Sequence, residues 1–492
     1  MTLREADAYI VAPSESVPPV IRTLATAALM SLLATTAASC ATSEEGALQP
    51  AANLAFPTGV ALTPEDAALP QRLLVVSSNF DLRFRAGRLH AFDREAIDAL
   101  ADEAPPPPSC PAAQPRCLPA DVPSLEPALV GTVEVGDFGG EVGVAGLGPG
   151  RVRAFVPVRG SQSVVAVDLD VDGLVCAEGG GSDCSETGAS FPRRDPYSVA
   201  VALGNVYVGH FTLNTLRGTG PRGGVIGTAP VDAAFWTLGG GSFGEIPVGE
   251  GSAIGGLSVG ACRPGDEGPT CTLFASGRSR FGGTQEIFAF DFREGAPMLG
   301  PLFSRNLFAQ QFGFDSRGIA AASSGEAVYM ASRSPTALAV IDVTRLASLP
   351  TDGCVVPEGE VVAPGAACPD LPPPTGEDPA FRTVDLVTSP SGPNAVAVLP
   401  RQLPGGGTSD LVVMTTDDGL AFFDTRASVL AASLGGLGAT PTAVAFRPAG
   451  DGFRLYVPSF LRGTLAVVDV PDPFRPETAR VVARIGPVQE GT

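Results

Sequence analysis

The 492 residues are 44% hydrophobic and 17% charged, too apolar and too weakly charged for a chain disordered along its length. A formal net charge of −20, in which every strongly basic side chain is Arg and none is Lys, repels phosphate backbones and excludes nucleic acid as an expected partner. Sixty Gly and 47 Pro without a collagen period indicate many turns between short strands, as in all-β folds.

The acidic residues 1–19 are unlike a signal, so the true start is expected near Val20. Arg22 then precedes an apolar run from Thr23 to Ala38 that is too short and too rich in small residues for a membrane span. A basic flank, a short apolar core and small residues before a cut are the parts of a secretory signal. The cut region, Ala37-Ala38-Ser39-Cys40, resembles the lipobox of bacterial lipoproteins, with Ala37 where a Leu is usual. The resemblance implies acylation of Cys40, which becomes the new N-terminus and ties the chain to a membrane. Ala41-Thr42 carries no Asp beside the Cys, which favours the outer membrane of the cell envelope. A plain secretory signal with a chance Cys is the alternative. The expected organisation is a signal over 1–39, a tether over 40–55 and one domain over 56–492.

Eight further Cys fall into four local couples: Cys110 with Cys117, Cys176 with Cys184, Cys262 with Cys271, and Cys354 with Cys368. An even set in an exported chain reads as disulfides, each closing a small loop worth ~2–3 kcal/mol in the chain-entropy model. Zinc is disfavoured: no C-x-x-C pair occurs, and His90 and His210 are isolated.

From Pro57 onward one unit recurs. An alternating first strand appears as Pro57–Leu62, Val142–Ala145, Pro196–Val201, Gly256–Val259, Gly318–Ala321, Pro393–Val398 and Pro441–Phe446. Each is followed by two more β-rich runs, the last of which ends in Asp93, Asp168, Asp232, Asp291, Asp342, Asp424 or Asp469. Four short antiparallel strands with turns between them make a propeller blade, so the expected fold is all-β, a single seven-bladed β-propeller of four-stranded antiparallel blades. The stretches 94–140 and 343–390 are rich in Pro and read as insertions that build no separate core. The recurring Asp reads as a turn cap. Phe155, Tyr207, Phe274, Tyr329 and Tyr456, in the second strands, are expected to pack between blades.

The unit resembles the YVTN-type β-propeller repeat. Leu455-Tyr456-Val457 with Leu465-Ala466-Val467-Val468-Asp469, and Val328-Tyr329-Met330 with Leu338-Ala339-Val340-Ile341-Asp342, stand in its two most recognisable places. The similarity spans about residues 56–486 and implies fold more than activity. Members are mostly exported or surface proteins, and some related propellers are lactonases or redox enzymes.

Two constellations bear on chemistry. Asp168-Leu169-Asp170-Val171-Asp172-Gly173 is the first half of a calcium loop, with Glu178 one residue short of the usual final ligand; an ordinary acidic turn is the competing reading. The position after the second strand holds Arg159, Arg278 and Arg333, with His210 one place earlier in its blade, and Ser78, Phe211, Thr416 and Phe460 elsewhere. If these ends share one channel mouth they form a cationic patch suited to an anionic small molecule or glycan; solvated turn residues are the alternative. No G-x-S-x-G, haem or paired-carboxylate motif appears. The function expected is that of a membrane-anchored binding or scaffolding module, monomeric, with a protein or glycan partner. A lactonase-type hydrolase at the channel mouth is the alternative.

Overall fold

The computed structural model describes residues 47–104, 122–190, 195–211, 223–234, 236, 244–250, 252–279, 286–306, 315–334, 336–344, 382–388 and 391–486. Cys40 and the couples Cys110/Cys117 and Cys354/Cys368 lie outside them. The chain from Leu48 to Thr492 forms one compact unit.

Seven antiparallel sheets follow one another in chain order, and the four main strands of each pair in sequence order. Blade one is Pro57–Leu62, Arg72–Ser77, Arg88–Asp93 and Leu129–Glu134. Blade seven is Ala445–Ala449, Gly452–Ser459, Thr464–Val470 and Arg480–Ile485. The innermost strands between them are Gly143–Gly146, Pro196–Ala202, Ser252–Val259, Ser316–Ala321 and Val396–Gln402. The fold is therefore the seven-bladed propeller expected. Blade two carries a fifth piece: its outer strand Gly173–Cys176 is short, and Ala189–Ser190 pairs with the rest of the third strand. The Cys176–Cys184 disulfide staples that excursion, and Cys262–Cys271 closes the loop between the first two strands of blade four. Disulfides persist in oxidising compartments. Among the described residues no helix is long and apolar enough to cross a membrane.

A lone blade has two apolar faces, and stacking buries them. Phe155 packs with Val199, Val206, Val208 and Trp236 of the next blade. Tyr207, Phe274, Tyr329 and Tyr456 each sit in the same way in a cluster shared by two blades. Each seam thus hides large side chains that one blade alone would expose, worth about 1.5–3 kcal/mol apiece.

The innermost strands approach closely around the axis, which is why they contain Gly. A Cβ on Gly59 would lie 2.8 Å from the Gly140 carbonyl oxygen, and one on Gly318 2.7 Å from that of Asn394. Backbone groups bond across these gaps: Glu141 N donates to Tyr197 O at 3.1 Å, and Gly318 N to Asn394 O at 2.6 Å. At the seam between last and first blades the Thr442 hydroxyl donates to Pro57 O at 2.9 Å.

Among the described residues no strand is exchanged between blades seven and one. The ring is latched instead by a helix that the strand pattern of the sequence does not announce. Helix α1, Arg94–Glu103, grows from the end of blade one's third strand, where the Asp93 side chain accepts from Ala96 N. Its buried face, Ile97, Asp98 and Ala101, packs against Ile485 and Tyr456 of blade seven.

The recurring Asp does more than cap a turn. Asp93, Asp342 and Asp424 do accept backbone N–H groups two or three residues on. Asp168 and Asp469, however, pair across the sheet with their register partners Arg153 and Arg454, at 2.6 and 2.8 Å. Asp93 does so with Arg72, and Asp291 accepts from Thr272, its register partner. Asp232 lies just past the third strand of blade three, which ends at Pro230. The repeated acid is mainly a cross-strand anchor.

Candidate functional site at the channel mouth

The mouth is built by one repeated backbone bond. The N–H just after the second strand, or at its last residue, donates to a carbonyl in the segment that leads into the innermost strand, one to five residues before it. The pairs are Ser78 to Phe56, Arg159 to Phe138, Phe211 to Asp195, Arg333 to Asp315 and Phe460 to Thr440, at 2.8–3.2 Å. Five of the positions aligned from the sequence are therefore equivalent, and four of them, Ser78, Arg159, Phe211 and Phe460, line one cavity of about 190 Å³. The acceptors of this bond are strained. Phe56, Phe138, Asp195 and Thr440 all have φ between 49° and 64°, the left-handed region that bulky side chains avoid. Such strain persists only where the surroundings hold it, and it concentrates at functional sites.

β-Bulges aim further side chains into the cavity. Register shifts fall between Pro57 and Gly59, Pro196 and Ser198, Ile254 and Gly256, and Ser316 and Ile319. The residues inside those shifts, Thr58, Tyr197, Gly255, Arg317 and Gly318, all line the cavity. Below it a second space of about 180 Å³ follows the channel between innermost strands, and Glu141, Gly318, Ala395 and Thr442 face both.

The walls are polarised. On the side of blades seven, one and two stands an aromatic cluster. Phe80 lies 5.5 Å from Phe460, 5.8 Å from Phe138 and 6.1 Å from Phe56 between ring centroids, and it is 53% exposed. On the side of blades two to five, three guanidiniums surround the Phe211 ring: Arg278 at 4.1 Å, Arg317 at 5.0 Å and Arg159 at 5.4 Å from its centroid. Each is also ion-paired with the following blade or its own bulge. Arg159 pairs with Asp195, while Arg278 and Arg317 share Asp315 at 2.8 and 3.0 Å. Among the described residues, three cations against two carboxylates leave one positive charge in this cluster.

Half-buried Glu141 stands between the two walls, one oxygen accepting from Val199 N at 3.2 Å. Burial pushes its carboxyl up to about 7, and that hydrogen bond opposes only part of the rise. Burial also pushes the Tyr197 hydroxyl up to about 12, with the charge of Glu141 adding to the effect.

Not every residue singled out from the sequence reaches this site. Arg333 pairs with Asp417 at 2.7 Å, outside the cavity lining. His210 is buried at the end of blade three's second strand, opposite Pro196. The D-x-D-x-D-G stretch is a β-hairpin. Asp168 is engaged by Arg153, and Asp170 accepts from Asp172 N at the turn. Among the described residues no group of three or more His, Cys, Asp or Glu is placed to hold a metal ion, so Asp168, Asp170, Asp172 and Glu178 do not converge. Glu141, Tyr197, Arg317 and Phe80 were not anticipated. They sit in bulges and turns, and only the Gly-rich starts of the innermost strands hinted at close approach there.

No protein-family model matches the chain, and no curated protein matches it by sequence. Solved structures similar to it include the periplasmic gluconolactonase of Pseudomonas aeruginosa, at 12% identity over 88% of this chain and 96% of that one, TM-score 0.44. Hydrazine synthase of Kuenenia stuttgartiensis is 11% identical over 84% of both chains, TM-score 0.42. The β-propeller domain of Myceliophteria thermophila Cps50 is 9% identical over 85% and 95%, TM-score 0.42. Likeness at this level says nothing of activity or ligand.

Proposed function

We propose that the chain is an exported, lipid-anchored propeller that binds a small molecule at the channel mouth, acting as a binding module. The mouth cavity carries this reading: the same backbone bond frames it in five blades, its entry residues are strained, and its two walls differ in character. Ligand sites are concave, mostly apolar and equipped with a few convergent polar groups. The lipobox-like Cys40 and the two disulfides support export. Phe80 is exposed and its replacement leaves the core intact, so Phe80→Ala tests the seat. Small molecules that raise the thermal midpoint of the native chain are expected to lose that effect in the variant. A screen in which every stabilising compound acts equally on both would overturn the reading. Cys40→Ser is expected to release the protein from the membrane fraction; unchanged retention and mobility would rule out the anchor.

Glu141 supports the second reading, a hydrolase of the lactonase type. A carboxyl group poised near neutrality inside a cavity is suited to general acid or base work. Lactone hydrolysis abolished by Glu141→Gln with binding retained would favour it over pure binding.

A further inference from the structure

We propose that the ligand of the channel mouth is a small monoanion with an aromatic body, an arylalkyl carboxylate of single-ring size; the proposal rests on the mouth being a ligand seat. Three observations fix the class. The first is size. A cavity of about 150 Å³ admits a benzene ring, so one of about 190 Å³ has room for a ring with a short acid tail.

The second is charge. Among the described residues Arg159, Arg278 and Arg317 outnumber Asp195 and Asp315 by one, and of the three cations Arg159 and Arg317 line the cavity. One carboxylate completes the cluster, and guanidiniums present paired donors that match its geometry. A dianion would exceed what the cluster lacks. Glu141 also faces the cavity, and as a neutral acid it has an O–H to offer the ligand instead of a repelling charge.

The third is the opposite wall. Phe80, Phe138 and Phe460 meet edge to face around the opening, and Phe80 stands half in solvent. A ligand ring entering the cavity would extend this edge-to-face cluster. The two walls come from different arcs of the ring, blades seven to two and blades two to five, so a molecule satisfying both must be amphipathic.

The test is calorimetric titration of the full-length chain, expressed with its own leader, at pH 6. The probes are 3-phenylpropionate, its neutral isostere 3-phenylpropanamide, and acetate, with cellobiose as a neutral polar probe. 3-Phenylpropionate is expected to bind about tenfold or more tightly than the amide and than acetate, and to weaken by a similar factor in both Arg317→Gln and Phe80→Ala. Equal affinity for acid and amide would overturn the proposal, as would undiminished binding in both variants. If cellobiose binds in a Phe80-dependent way and 3-phenylpropionate does not, the ligand class is wrong and the mouth remains a seat. If no probe and no screened compound depends on Phe80, both readings fall together.

Discussion

The Asp98 carboxylate accepts a hydrogen bond from the Tyr456 hydroxyl at 2.8 Å, joining two residues that lie 358 positions apart. Asp98 belongs to helix α1 of blade one and Tyr456 to blade seven, so this contact closes the ring. The same carboxylate takes Arg94 at 3.0 Å, Arg447 at 2.6 Å and Arg454 at 3.3 Å. Burial raises its pKa, but the hydrogen bonds from Tyr456, Arg94 and Arg447 outweigh that and hold the group below the usual carboxylate range.

Asp98→Ala is therefore expected to destabilise the protein by about 3–5 kcal/mol, because it strands buried guanidiniums. Asp102, which also pairs with Arg454, is 60% exposed at its side chain, and its replacement is expected to cost less than about 1 kcal/mol. Denaturant titration of both variants checks this. Equal losses would mean that the seam is not held at Asp98.

Stability is also expected to depend on pH through a buried group, His90, and a half-buried one, Glu141, of opposite sign. His90 is buried, its ring bonded to Ser77 Oγ and Ala51 O, and burial lowers its pKa from 6.5 to about 4. The folded state thus resists protonation: its contribution is complete above pH 6.5 and is lost as pH falls toward 4. Glu141, which lines the same cavity as Tyr197, Arg159 and Arg317, has the opposite sign. Its pKa is raised from 4.5 to about 7, so its contribution is complete below pH 4.5 and is lost as pH rises through 7. Thermal midpoints measured from pH 4 to 8 should show His90→Gln flattening the acid limb and Glu141→Gln flattening the neutral limb. Two variants with the native profile would contradict both assignments.

The chain's single Trp reports on one seam. Trp236 is 2% exposed, and its ring lies 4.9 Å from Phe155 across the seam of blades two and three. Phe155→Ala should cost about 3–5 kcal/mol and open that seam to water. A red shift of Trp236 emission in the folded variant is the expected signature. Unchanged emission would place the ring elsewhere.

How far the sequence could be read depended on period. Strands with alternating apolar residues and a closing Asp repeat seven times, so blade number and strand order were legible from residues such as Asp93, Asp342 and Asp469. The seam residues Phe155 and Tyr456 were legible for the same reason. Helix α1 was not read, although Asp93 followed by Glu95 and an Ala/Leu-rich run is a capping signature; the Pro-rich stretch beyond it masked the signal. The site was half legible. Arg159 and Phe211 followed from aligning blades, whereas Tyr197 and Arg317 enter the cavity through β-bulges, which break the very period that alignment relies on. That Arg333 pairs with Asp417 instead depends on contact between blades, which no single-blade pattern encodes.

The disulfides give a covalent map. Peptide mapping without reduction should recover Cys176–Cys184 and Cys262–Cys271, and the same local rule predicts Cys110–Cys117 and Cys354–Cys368. Loss of the Cys176–Cys184 link in a double Ser variant should cost ~2–3 kcal/mol. A bridge between distant blades would break the local rule.

Whether the mouth seats an aromatic monoanion is decided most directly by a crystal structure of the protein soaked with 3-phenylpropionate. The carboxylate is expected within hydrogen-bonding distance of the Arg159 or Arg317 guanidinium, and the ring against Phe80 and Phe460. A ligand bound elsewhere on the propeller with the mouth empty, or one lying in the mouth with its acid turned away from both arginines, would contradict that assignment.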